Sequence, residues 1–370
     1  MKILFCQTQF KMGGQQKVLL SIAKELNKKH EVTVYYENHN FFDFEDLNII
    51  KAKRSFQVLN FFLAILICSF TLKFDKKTII DTWHLYNARD SLRKEKYDIV
   101  VLLNPYVLFV DEFRKFIDTQ KIICWTHNLF EDYMFNRFKT EQSKLKLSMS
   151  HADKIISLEK YTASKWREIN KNTVVIHNPL TIKNESGYNK KNSKKIGMVT
   201  RIDINQKGLD ILVKIAKLLN PSTQIFIAGS GTKSEEKKFS NLLIENKLEK
   251  QIILLGSLKG EELVEFYSSL ALLLVTSRNE GFPLVVAEAM SFGTHIIGFD
   301  IPSMREVTAG GQFGTLIPFD NTELFAKNIE DLQNRFLSKD FDLESEELVR
   351  YAEKLRVNKI IKEWEEALTK

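Results

Sequence analysis

The chain has 370 residues, with 54 lysines and arginines against 47 aspartates and glutamates, for a net charge of +7. A composition 44% hydrophobic and 27% charged excludes a largely disordered chain, and at ordinary domain sizes the length points to two globular units. Three scattered cysteines, Cys6, Cys68 and Cys124, exclude a disulfide framework or a cysteine-based zinc site and fit a reducing, cytoplasmic setting.

In chain order, residues 2–7 form a short apolar strand with no small-residue cleavage site after it, so no secretory leader is expected. Gly13-Gly14 marks a turn, and Val18, Leu19, Ile22, Ala23 and Leu26 then recur at helical spacing. Residues 31–36 alternate as a second strand. Further strand-like runs fall at 98–103, 121–126, 154–158 and 173–176, with helical or loop stretches between most of them. Residues 183–195 are polar, rich in Asn and Lys, and make the best linker. Beyond them come strand 195–199, helix 209–219, strand 223–228 ending in Gly229-Ser230-Gly231, and strand 251–255. Helix 261–270, strand 272–275, a loop and helix over 281–292, and strand 295–299 complete the second pattern. Residues 343–368 read as a charged helix able to pack on either domain. Alternating strands and helices argue for parallel sheets covered on both faces. The expected architecture is therefore α/β: two doubly wound Rossmann-like domains, 1–182 and 196–342, joined by the 183–195 linker. A C-terminal helix over 343–370 would be free to cross back to the first domain. In such sheets ligands sit off the carboxyl ends of the strands, so the ligand is expected in the interdomain cleft.

Charge is uneven along the chain. Residues 1–186 carry 29 basic and 21 acidic side chains, while residues 187–370 carry 25 and 26, so the positive excess lies wholly in the first half. Anionic lipid and nucleic acid both suit such a surface, but no basic-aromatic nucleic-acid motif accompanies it. Residues 58–72 are nearly all apolar and flanked by Lys51, Lys53, Arg54, Lys73, Lys76 and Lys77. At 15 residues the run is short for a membrane crossing. It is either a buried helix of the first domain or a helix lying in the membrane interface with its basic flanks on headgroups.

Residues 277–298 carry the densest chemistry. A strand ends, a loop presents Glu280 and Gly281, Pro283 falls where a first helical turn would take it, and Glu288 follows within the helix. Amides of Gly281, Phe282 and Leu284 at the helix start favour a bound anion such as a diphosphate. Carboxylates beside that anion site suit hydroxyls, and the combination describes a nucleotide-sugar. The competing reading of Glu280 and Glu288 is helix capping. Arg201 and Lys207 suit fixed positive charge for a leaving diphosphate, against a reading as solvated surface. Gly13 and Gly14 allow close backbone approach, against a plain turn.

The segment resembles the E-x7-E signature of retaining glycosyltransferases of the two-Rossmann GT-B kind, in the large family 4 group. Residues 196–208 resemble that group's G-R-x-x-x-x-K-G loop, with Thr200 where glycine is usual. Residues 228–231 resemble its G-x-G turn, Gly13-Gly14 its N-terminal glycine loop, and 150–157, Asn178-Pro179 and 313–320 other expected segments. The resemblance is weakest over 37–95. It implies that Glu280 contacts donor-sugar hydroxyls and Glu288 the nucleotide ribose, and that Arg201 and Lys207 neutralise the diphosphate. Gly13, Gly14, Gly229, Gly281, Phe282, Pro283 and Leu284 would line the donor, and His127 would lie near the reacting sugar. It further implies retention by front-face attack, with neither a metal nor a cofactor. The one Asp-x-Asp, at residues 340–342, follows a charged stretch and makes a poor metal-diphosphate site. G-x-S-x-G is absent and the dinucleotide fingerprint is incomplete.

The function expected from the residues and the resemblance together is retaining, metal-independent sugar transfer from a nucleoside diphosphate, UDP foremost. The acceptor would be a lipid-linked or other glycan in bacterial envelope polysaccharide or glycolipid synthesis, worked on by a cytoplasmic enzyme peripheral to the inner face of the plasma membrane. A catalytically silent GT-B-like partner and a sugar-nucleotide epimerase are the alternatives.

Overall fold

Every ladder in the two large sheets is parallel, as βαβ connectivity requires. The computed structural model describes residues 1–10, 13–70, 75–182, 184, 194–336 and 338–370. Most of the expected linker, and Thr71 and Leu72 at the end of the apolar run, lie outside them. The chain divides into two units: Met1–Pro179 together with Val357–Lys370, and Leu180–Arg356.

In the first unit the strands are β1 (Lys2–Cys6), β2 (Gln9–Phe10), β3 (Glu31–Tyr36), β4 (Asn38–Asn40), β5 (Asn48–Lys51), β6 (Lys96–Leu102), β7 (Asp118–Trp125), β8 (Lys154–Ser157) and β9 (Thr173–Val175). Seven form one sheet in the order β5-β3-β1-β6-β7-β8-β9, and β2 pairs with β4 apart from it. Its helices are α1 (Gly14–Asn27), α2 (Arg54–Phe70), α3 (Lys76–Leu92), α4 (Val110–Phe116), α5 (Gln142–His151) and α6 (Lys160–Arg167). All five apolar positions expected on α1 are buried, which is why that segment folds as a helix against the sheet.

In the second unit β10 (Lys195–Val199), β11 (Ile225–Ala228), β12 (Ile252–Gly256), β13 (Leu270–Val275), β14 (His295–Phe299) and β15 (Thr315–Ile317) run in the order β12-β11-β10-β13-β14-β15. The helices are α7 (Leu209–Leu218), α8 (Lys233–Glu245), α9 (Glu261–Ser269), α10 (Leu284–Ser291), α11 (Pro302–Val307), α12 (Thr322–Arg335) and α13 (Lys339–Ala352). All of β13 is buried, the continuous apolar run of a strand covered on both faces.

The structure differs from the sequence reading at the C-terminus. Two helices stand where one was expected: α13 packs on α10 in the second unit, and α14 (Val357–Thr369) belongs to the first. Trp364 of α14 sits edge-on to Trp125 with ring centroids 4.6 Å apart and against Phe5 at 6.0 Å. The buried Lys154 ammonium donates to the Ala367 carbonyl at 2.7 Å, near the negative end of α14. Cutting at 343 misplaces α13 because both helices are amphipathic, and periodicity does not say which sheet a face will cover.

Candidate functional site

In the second sheet strand order reverses between β10 and β13. That is the topological switch point, where the loops leaving two neighbouring strands diverge and open a crevice at their carboxyl ends. Residues 200–208 leave β10 and residues 276–283 leave β13, so the two segments singled out from sequence, about 70 residues apart, meet there. Main-chain and side-chain bonds stitch them together. The Arg278 amide donates to the Gln206 carbonyl at 3.0 Å, the Thr276 hydroxyl to the Lys207 carbonyl at 2.8 Å, and the Arg278 guanidinium to the Asn205 carbonyl at 2.7 Å. Arg278 also forks onto Asp210 in the first turn of α7, both bonds 2.8 Å, which holds the Asp210 carboxyl below its ordinary pKa. Gly208 has a left-handed φ of 62°, and a Cβ there would lie 2.0 Å from the Thr276 carbonyl oxygen, so glycine alone permits the approach.

On this frame the Lys207 ammonium bonds Glu280 Oε1 at 2.5 Å, and the Ser277 hydroxyl donates to the same oxygen at 2.7 Å. Both partners of the ion pair are largely shielded, at 17% and 14% side-chain exposure, so solvent screens them little. Oε2 of Glu280 makes no hydrogen bond among the described residues. Arg201, at the same loop's start, is exposed and splayed between Asp203 at 2.9 Å and Gln206 at 2.7 Å. Loop 200–208 thus carries two cations, one shielded and paired across to the β13 loop, one open to solvent.

Glu288, one full turn into α10, is buried. Thr181 donates to its Oε1 at 2.6 Å and Tyr267 to its Oε2 at 2.9 Å. Burial, with the carboxylate beside it, drives the Tyr267 hydroxyl well above the usual tyrosine pKa, so it stays a donor. Tyr267 and Thr181 are the partners of Glu288 that sequence reading missed. Tyr267 lies in α9, 21 positions away, and Thr181 belongs to the second unit rather than to the expected first domain of residues 1–182.

Three expected donor contacts change on inspection. Pro283 is the residue before the first helical turn, not in it. The Leu284 amide, expected to face an anion, donates to the Phe282 carbonyl at 2.8 Å in a tight turn. The Gly229 amide donates to the Gly256 carbonyl at 2.7 Å, and a Cβ at 229 would lie 1.7 Å from the Thr200 carbonyl oxygen. Gly229 therefore serves the packing of the β11 turn against the β10 loop, through backbone approach rather than through an outward amide. Gly281 and Phe282 form the turn between Glu280 and α10, with the Phe282 ring buried.

In the first unit Gly13 caps α1, and Gly14 is its first residue. No acidic side chain occupies that first turn, so none of the helix's own residues offsets its dipole there. His127 follows β7. Its amide donates to the Tyr133 hydroxyl at 3.1 Å, its ring lies 4.3 Å from that of Trp125, and its buried Nε2 has no hydrogen-bond partner among the described residues. Burial pushes its pKa down to about 3, so the ring is neutral at physiological pH. His177 lies just past β9 in the first unit. Among the described residues no group of three His, Cys, Asp or Glu side chains is disposed to hold a metal.

Comparisons with known proteins agree with this geometry. Residues 12–183 match Glycosyltransferase Family 4, and residues 181–353 match Glycosyl transferases group 1. An uncharacterized glycosyltransferase of Haemophilus influenzae is 26% identical over 362 residues, 95% of each chain. Among solved structures, Anabaena Alr3699/HepE in complex with UDP superposes with a TM-score of 0.75 at 17% identity, covering all of both chains. The lipopolysaccharide outer core galactosyltransferase WaaB does so with a TM-score of 0.70 at 19% identity, covering 100% of this chain and 99% of that one.

Proposed function

This chain is a glycosyltransferase of the GT-B fold and the family 4 kind, carrying the two matched domains in succession, and on that premise we propose that it transfers a sugar, with retention, from a nucleoside diphosphate to a glycan or lipid-linked acceptor. The observation that carries this reading is the Lys207–Glu280 pair at the switch point of the second sheet, with Ser277 on the same carboxylate oxygen. A cation and an anion held side by side in a shielded crevice match a ligand that is anionic in the middle and hydroxylated at its end. The diphosphate takes Lys207 and Arg201, and sugar hydroxyls take Glu280. Glu288, fixed by Thr181 and Tyr267, receives the ribose hydroxyls. UDP is the favoured nucleotide, a choice supported by the UDP and UDP-glucose complexes of the Anabaena protein.

The step is a substitution at the anomeric carbon. Its bond to the diphosphate oxygen breaks, the acceptor oxygen bonds on the same face, and the acceptor proton passes to the departing oxygen. Negative charge grows on the diphosphate, and preorganised cations stabilise that growth most because they need not reorganise. Neutral His127 is assigned a place beside the reacting sugar, contacting the donor or steering the acceptor, and is not the base. Gly13 and Gly14 are assigned backbone contacts to phosphate at the start of α1. No metal enters the scheme. Envelope polysaccharide or glycolipid synthesis at the cytoplasmic face of the membrane is the setting that suits such an acceptor.

A panel of nucleotide-sugars tests the reading by thermal shift, because a ligand bound only by the native state raises apparent stability. One UDP-sugar is expected to raise the melting temperature and, with acceptor present, to release UDP and give a product of unchanged anomeric configuration by NMR. Indifference to every nucleotide-sugar overturns the function, and an inverted product overturns the mechanism.

A further inference from the structure

Helix α2 is built inside out. Its buried side chains are Asn60, Ala64 and Cys68, one narrow stripe at i, i+4 and i+8 that packs on α3. On the opposite side Leu59, Phe62, Leu66 and Phe70 are 53–82% exposed, with Val58 beside them, and at 100° per residue only Ser55 and Ser69 interrupt that face. A helix on a soluble protein ordinarily has this arrangement reversed.

The rotation is locked. Asn60 donates to Asn87 at 3.1 Å, and Asn87 donates to the fully buried Glu37 at 2.8 Å, a carboxylate that Tyr106 and His84 also hold. Gln57 donates to the Glu37 and Ala52 carbonyls at 3.3 and 3.1 Å, and its own carbonyl accepts from the Trp83 indole at 2.7 Å. Turning α2 to bury its phenylalanines would break the Asn60–Asn87 bond and the Gln57 bonds, leaving buried amide groups without partners. The reading of this segment as a buried core helix is thereby corrected.

From this we infer that the outward face of α2 docks on an anionic phospholipid bilayer, lying in the plane of the interface. Charge identifies the occupant: between Lys51 and Lys77 stand six basic residues and one acidic, and that acidic residue, Asp75, caps α3 through the amides of Lys77 and Thr78. Lys51, Lys53, Arg54 and Lys76 are exposed at the two ends of the apolar face. Apolar side chains for the acyl boundary, framed by cations for headgroups, are the two signals that stable peripheral binding needs. At 17 residues α2 is about 25 Å long, and no helix of the described residues is long and apolar enough to cross a membrane. The inference rests on the proposed reading only in that it brings the enzyme to a lipid-linked acceptor.

The test is co-sedimentation of the full chain with vesicles of phosphatidylcholine alone and of equal parts phosphatidylcholine and phosphatidylglycerol. The native chain is expected to bind the anionic vesicles. The exposed triple variant Leu59→Ser, Phe62→Ser, Leu66→Ser and the charge variant Lys51→Glu, Lys53→Glu, Arg54→Glu should each bind at least about tenfold more weakly. Both should keep the native melting temperature and the native rate of UDP release to a soluble acceptor. Failure of the native chain to bind, or equal binding to both vesicles, overturns the inference. So does a native dimer that the triple variant converts to a monomer without vesicle binding. Vesicle binding without any nucleotide-sugar turnover would leave this inference standing and refute the transferase reading instead.

Discussion

Helices α2 and α10 are both strongly apolar, and they end in opposite environments. In α10, six of eight residues are buried, and they include the charged Glu288. In α2, three of seventeen are buried, and the polar Asn60 is among the three. Hydrophobicity therefore did not decide which helix went inside. Each is seated by a buried polar group with partners from distant elements: Thr181 and Tyr267 for Glu288, Asn87 for Asn60. The difference teaches that Glu288 finds its partners within its own unit, whereas α2 turns an apolar face away from its own unit.

The sharpest break in that comparison is at the mouth of α10. Glu280→Ala is expected to cut turnover by about 10²–10³-fold, the scale of losing one preorganised polar contact in a transition state, while circular dichroism stays native. Unchanged UDP release would remove Glu280 from the site. Burial around α10 is probed next at two side chains. Met290→Ala, inside α10, should cost about 2–5 kcal/mol in urea unfolding through the cavity it leaves. Tyr267→Phe should cost about 1–3 kcal/mol, because it strips a donor from a buried carboxylate, and it should raise KM for the nucleotide-sugar more than it lowers kcat. Equal kinetic constants would confine Tyr267 to a structural role.

Acid sharpens the view of the first unit. The folded-state pKa of His127 is pushed down to about 3 from 6.5, so below pH 6.5 the unfolded chain takes up a proton that the native state refuses. The stability tied to a neutral His127 is whole above pH 6.5 and declines as pH falls toward 3. His127→Gln should flatten the fall of unfolding free energy between pH 6.5 and about 5; an unaltered slope would show that the ring is not buried in solution. The smallest effect is expected at Leu66→Ala, within about 0.5 kcal/mol of native stability despite the lost side chain.

Much of the frame was legible. The bounds of strands 195–199 and 295–299 are legible to the residue, because interior parallel strands are short apolar runs with polar borders. Glu280, Lys207 and Arg201 were legible from residue type and loop position. The stretch between β3 and β6 was not. Helix α3 buries Thr78, Asp81 and Asn87 along with Ala88 and Leu92, so its inward face carries little apolar period to detect. The small pairing of β2 with β4 joins strands of two and three residues, too short to show alternation. Tyr267, Thr181 and the Glu37 network escaped because each contact spans 21 to 107 positions, a range over which residue type alone selects no partner.

The order of strands and helices, the two-domain α/β plan and the cationic and acidic loops were set by the sequence alone, since they depend on local periodicity, glycine at turns and residue chemistry. Tertiary structure alone decided that Lys207 and Glu280 share one crevice, because strand order places β10 beside β13 while 70 residues separate them in the chain. It alone decided that α14 joins the first unit. And it alone turned the phenylalanines of α2 outward, because Asn60, bonded to the partner of a buried glutamate, holds the opposite stripe of the helix inward.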